Sequence, residues 1–183
     1  MNDIEIFKNI VFYLKDWYME KMSITEIDEF NQTNDLNILK IIKLHFFVVA
    51  INSKNNDLLL NNNEFHAMPY GPVETNVYNT YKLNPNFTEF TISNEKIFFL
   101  NNPQRPELPE QYSTAIIESI NALKKIEPEL ILADAGLLVE LTHAWNSWKK
   151  NYNLARLCGK YSHPIPKDEI KNDLKIVNLN FIN

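Results

Sequence analysis

Leu36-Asn37-Ile38-Leu39-Lys40-Ile41-Ile42-Lys43-Leu44-His45-Phe46-Phe47-Val48-Val49-Ala50-Ile51 is the stretch on which the fold turns. Leu36, Leu39, Ile42, Phe46 and Val49 recur at helical spacing, while Ile38, Ile41 and Phe47 supply a second apolar face. A helix that is apolar on several sides belongs in the middle of a core. Lys40 and Lys43 share its one polar edge, and with His45 they interrupt a run already too short to span a bilayer.

The chain on either side supplies elements to surround this helix. Upstream, Phe7, Ile10, Val11, Leu14, Trp17 and Tyr18 form one apolar stripe, predicting a helix over residues 4–22 with Asn2 or Asp3 as N-cap. Ser23 and Glu26 have capping-box spacing, so a short helical turn is expected through Phe30 before the polar loop 31–35. Downstream, residues 53–63 read as a loop with Leu58-Leu59-Leu60 as a short extended segment. In Pro69-Tyr70-Gly71-Pro72-Val73, Pro72 fits a first helical position, with Gly71 as N-cap and Glu74 able to reach back to it. Val73, Val77 and Tyr81, beside Tyr78, continue that helix for about three turns.

Phe87 to Leu100 reads as a β-hairpin around Ser93-Asn94-Glu95-Lys96, and Pro103, Pro106 and Pro109 mark a loop. Tyr112, Ile116, Ile120 and Leu123 predict a helix that stops before Pro128. Asp134 is the expected N-cap of one helix carrying Leu137, Leu138, Leu141, Trp145 and Trp148, and a last short helix should run from about Pro166 to Leu174. The expectation is a mainly α fold: a compact single-domain helical bundle around a buried central helix, with a small β-hairpin, spanning residues 1–183.

Composition narrows the function. Apolar residues make up 45 % and charged residues 22 %, as in an ordinary globular domain. Three glycines, none close to another, rule out glycine-rich phosphate loops and dinucleotide fingerprints. His45, His66, His143 and His163 show no zinc-ligand spacing, and the single Cys158 lies in no nucleophile signature, so neither a metal nor a cofactor is expected. An enzyme is the weaker reading. A net charge of −5 argues against direct nucleic-acid binding and suits a partner with a basic surface. The lone cysteine, and a start without a basic and apolar leader, point to the cytoplasm and to no membrane span.

Three segments, in order, resemble the Panacea domain of SocA-like antitoxins. They are Leu39–Ala50, with its two lysines followed by aromatic and aliphatic residues; Phe65–Val73, running into Val77-Tyr78; and Leu138–His143 with Trp148 downstream. The likeness covers about residues 36–175, with residues 1–35 as an N-terminal helical addition. Lys40, Lys43, Gly71, Pro72 and His143 belong to the shared motifs. The resemblance implies a non-enzymatic antitoxin that neutralises a cognate protein toxin, encoded beside it, by direct contact. A phage-associated regulator or a proteolytic adaptor that delivers a partner protein is the alternative, and self-association is compatible with either. Tyr70, Val73, Tyr78, Trp145, Trp148 and Lys149 are the residues expected to shape the contact surface, since aromatic side chains anchor interfaces.

Overall fold

The structure, a computed structural model, describes residues 2–181. The central helix forms as expected. It is α3 (Ile38–Ile51) here, capped by the Asn37 side chain, which accepts from Lys40 N at 3.0 Å. Every residue of α3 except Leu39 is buried. It packs against α1 (Asp3–Met22), α6 (Glu110–Ile126), α7 (Ala135–His143) and the strand β2 (Gly71–Glu74). The anticipated polar edge does not exist, because Lys40 and Lys43 are both fully buried. So many elements cover α3 that even its lysine side is enclosed.

The helix α1 begins at its Asn2 cap and buries Phe7, Ile10, Leu14 and Trp17 as its stripe predicts. Ser23 does not start the next helix. It ends α1 in a left-handed conformation, φ 56°, and α2 (Ile27–Thr33) follows from Glu26 with no side-chain cap. Leu58-Leu59-Leu60 is helical rather than extended, forming α4 (Leu58–Asn61) and burying Leu59 and Leu60. Further on, the helix α9 (Lys167–Asn172) lies inside the span expected for it.

The largest departure concerns the proline-glycine segment. Gly71 to Glu74 is not a helix start but the strand β2, paired antiparallel with β1 (Phe65–Met68), so that Met68 faces Gly71 and Ala67 faces Pro72. Pro69 and Gly71 occupy the second and fourth positions of the tight turn, where each is favoured. Gly71 has φ +97°, a conformation that L side chains rarely adopt. The helix α5 (Thr75–Leu83) starts four residues later than Gly71, and Glu74 is its N-cap, accepting from Val77 N at 2.6 Å. A two-residue strand, β5 (His163–Pro164), adds to the other side of β1.

The hairpin of β3 (Phe90–Ile92) and β4 (Ile97–Phe99) is present. Its outer edge is closed by side chains of α2 and the residue that follows it. The Asn31 carboxamide donates to Phe99 O and accepts from Phe99 N, both at 2.9 Å. Asn34, buried, does the same for Ile97, at 3.0 and 3.2 Å. Two asparagines thus take the place of a neighbouring strand, which removes an open edge that would pair with other chains.

The helix expected from Asp134 through Trp148 is broken in two. Asp134 caps α7 as predicted, accepting from Leu137 N at 2.9 Å, but Trp145 is extended and α8 (Asn146–Leu157) begins after it. Asp173, just beyond α9, accounts for the restart: its carboxylate accepts from Asn146 N at 3.3 Å and Ser147 N at 2.6 Å. An anion at the amide groups of a first turn stabilises a new helix N-terminus. Among the described residues, no helix is long and apolar enough to cross a membrane.

Candidate functional site

The β1–β2 turn, α3 and α5 enclose a cleft of about 120 Å³ lined by Ile38, Leu39, Ile42, Lys43, Met68, Tyr70, Val73, Tyr78 and Tyr161. Leu39, the one residue of α3 that is not buried, is part of this lining. Tyr70, at 64 % exposure, and Tyr161, at 68 %, stand at its rim. Tyr78 stacks on Tyr81 with ring centres 6.3 Å apart, and Lys82 Nζ lies 5.0 Å from the Tyr78 ring. A cavity of ~150 Å³ holds benzene. This cleft therefore has room for one apolar group of side-chain size.

The turn that carries Tyr70 is anchored from beneath. Trp148 donates its indole N–H to Met68 O at 2.9 Å, and Lys43 donates from Nζ to Pro72 O at 2.9 Å. A Cβ at Gly71 would stand 2.3 Å from Thr142 Oγ1 and 3.1 Å from Lys43 Nζ, so the turn lies directly on α7 and α3. The Thr142 hydroxyl in turn donates to Val139 O at 2.7 Å. His143 lies flat on Trp148, ring centres 3.9 Å apart and planes at 12°, and Tyr152 stacks on the same indole system at 5.1 Å. Thus Lys43 and His143, distant in sequence from Gly71 and Pro72, are brought to the same turn.

Electrostatics in this layer follow from burial. Lys43 has no carboxylate beside it, and burial pushes its ammonium from 10.5 down to about 7. Burial also lowers Lys40, against the pull of Asp35, whose carboxylate lies 2.7 Å from Lys40 Nζ. His45 is fully buried between Phe7 and Phe65, and desolvation pushes it down to about 3, against the opposing pull of the buried Asn63 side chain. It is therefore neutral at physiological pH and packs as a flat ring between the two aromatic side chains. His143 is lowered first by burial, with nearby Lys43 adding to the shift while Glu140 opposes it.

Of the six residues expected at a contact surface, the cleft brings together Tyr70, Val73 and Tyr78. Trp145 is not among them. It is fully buried, packs edge-on against Phe46 at 4.8 Å and donates to Ile176 O at 2.8 Å. Trp148 is buried too and touches the site only from below. The helix break at Ala144-Trp145 turns Trp145 inward between α7 and α8, whereas Trp148 is covered by the β1–β2 turn, His143 and Tyr152. Lys149 is exposed, on the outer face of α8. Tyr161 and Leu39 were not anticipated as site residues. Nothing local distinguishes Tyr161, and Leu39 looked like any other apolar position of a helix expected to be buried throughout.

Among the described residues no three or more His, Cys, Asp or Glu side chains converge as a metal-ligand set, and Cys158 is exposed at the end of α8. The chain matches no protein-family model, no curated protein and no solved structure.

Proposed function

We propose that this chain is an antitoxin that neutralises a toxin encoded beside it by direct contact, in the cytoplasm, with the Tyr70 cleft as part of the contact surface. The observation that carries this reading is the exposed Tyr70 on a turn whose carbonyls on either side are held by the buried Trp148 and Lys43. A side chain presented on a preordered turn loses little conformational entropy on binding. Tyrosine is among the residues that most often dominate binding energy when covered by a partner. The cleft beside it accepts one apolar group, which suits an anchoring side chain of a protein partner. The ordered likeness of Leu39–Ala50, Phe65–Val73 and Leu138–His143 to the Panacea domain of SocA-like antitoxins supports the same role.

The test is binding between the purified chain and the product of the neighbouring reading frame, measured by calorimetry. Tyr70→Ala should weaken the complex at least ~10-fold, the scale of a hot-spot residue, with an unchanged melting curve. Unchanged affinity in a folded variant would remove the cleft from the interface.

A further inference from the structure

The acidic balance of the chain is not evenly spread. Residues 141–167 hold Lys149, Lys150, Arg156, Lys160 and Lys167 and not one Asp or Glu, leaving thirteen basic against 23 acidic residues elsewhere. Most of these cations converge on α8. Its buried positions are Ser147, Trp148, Asn151 and Ala155, which leaves Lys149, Asn153 and Arg156 along one side of the exposed arc and Lys150, Leu154 and Leu157 along the other, all exposed. Leu157 is 84 % exposed and Leu154 38 %. Gly159, at φ 63°, ends the helix, and exposed Lys160 and Tyr161 follow directly. Since Tyr161 also lines the Tyr70 cleft, the face adjoins the cleft at that end.

Two of the five cations are engaged within the fold: Lys150 pairs with Glu169, and Lys167 donates to Asn61 O at 2.7 Å. Among the described residues Lys149, Arg156 and Lys160 form no ion pair. The nearby carboxylates Glu169 and Asp173 are themselves bound, to Lys150 and Asn151 and to the first amides of α8. The helix thus offers a stripe of unpaired positive charge beside a stripe of uncovered leucine.

We propose that this face of α8, with Lys160 and Tyr161, docks an acidic protein surface that carries an apolar stripe. Carboxylates meet Lys149, Arg156 and Lys160, while the apolar groups cover Leu154, Leu157 and Tyr161. Charge complementarity identifies the partner as acidic, although the net charge of the chain taken alone points to a basic one. The exposed leucines favour protein over nucleic acid, because phosphates gain nothing from them and the remainder of the chain repels a polyanion. The proposal rests on the reading of the chain as a protein-binding module and specifies the chemistry of its partner.

The experiment titrates the full chain against three labelled probes by fluorescence anisotropy: a synthetic amphipathic helix of glutamate and leucine, a scrambled peptide of the same composition, and duplex DNA. The amphipathic helix should bind saturably, most tightly of the three, and more weakly as salt rises. Lys149→Glu/Arg156→Glu/Lys160→Glu should weaken it at least ~10-fold, the expected size for removing several complementary charges. Leu154→Ser/Leu157→Ser should weaken it as well. All five positions are exposed, and unchanged circular dichroism spectra confirm that the fold is kept. No saturable binding, equal binding by the charge-reversed variant, or tighter binding to DNA would each overturn the proposal. The neighbouring protein takes no part in this assay. Failure here therefore leaves neutralisation standing, and a neighbour that does not bind leaves this face standing.

Discussion

Replacing Gly71 by alanine should cost much of the stability of the protein. The added Cβ would lie 2.3 Å from Thr142 Oγ1 and 3.2 Å from Thr142 Cβ, closer than atoms pack without displacement. Overpacking of this kind costs about 1–3 kcal/mol. The backbone at φ +97° adds strain for any L residue, another ~1–3 kcal/mol. Together about 2–6 kcal/mol is lost from a total that is typically ~5–15 kcal/mol. For a chain of this size each kcal/mol lowers Tm by about 2–4 °C, so a drop on the order of 5–20 °C is expected. Thr142→Ala separates the two contributions, because it removes the hydroxyl contact and leaves the backbone conformation unchanged. A double-mutant cycle from urea titrations should show a favourable coupling of about 1–3 kcal/mol between Gly71→Ala and Thr142→Ala. A Gly71→Ala protein that melts with the wild type, or a cycle that is purely additive, would refute this account of the turn.

Lys43 should make stability rise with pH above neutrality. Its folded value, about 7, is below the ordinary 10.5, so between those limits the unfolded chain holds a proton that the folded chain lacks. Unfolding then takes up a proton, and the penalty for burying the charge, full below pH 7, is relieved at up to ~1.4 kcal/mol per pH unit. Lys43→Met should reduce the slope of the urea midpoint between pH 7 and 10; Lys175, lowered to about 8, will keep part of it. An unaltered slope would count against a buried, unpaired amine. Asn34→Ala removes two bonds to Ile97 and those to Phe30 O and Leu36 N, at an expected ~2–4 kcal/mol. Denaturant midpoints measure that loss, and light scattering should show association through the uncovered β4 edge; a wild-type midpoint would deny the asparagine its role.

The elements most legible in the sequence were those whose pattern is local. The all-round apolar run of α3, the stripe of α1 and the Asp134 cap each announce a helix without help from elsewhere, and each is found. What the sequence hid depends on contacts between distant segments. Gly71-Pro72-Val73 has the residues of a helix entry, but Phe65–Met68 lies alongside it and draws it into a strand. Nothing before Ala144 signals the break there, because the carboxylate that caps α8 comes from Asp173. The burial of Lys40 and Lys43 likewise follows from how many elements surround α3. For the site, Tyr70, Val73 and Tyr78 were close in sequence and easily grouped, while Tyr161 joins them only through the fold.

Growth of cells expressing the neighbouring reading frame, alone and together with this chain, tests the proposed role most directly. The neighbour alone should arrest growth, the wild-type chain should restore it, and Tyr70→Ala present at equal soluble level should restore it poorly. A neighbour that is harmless, or whose toxicity is untouched by the wild-type chain, would contradict neutralisation by direct contact.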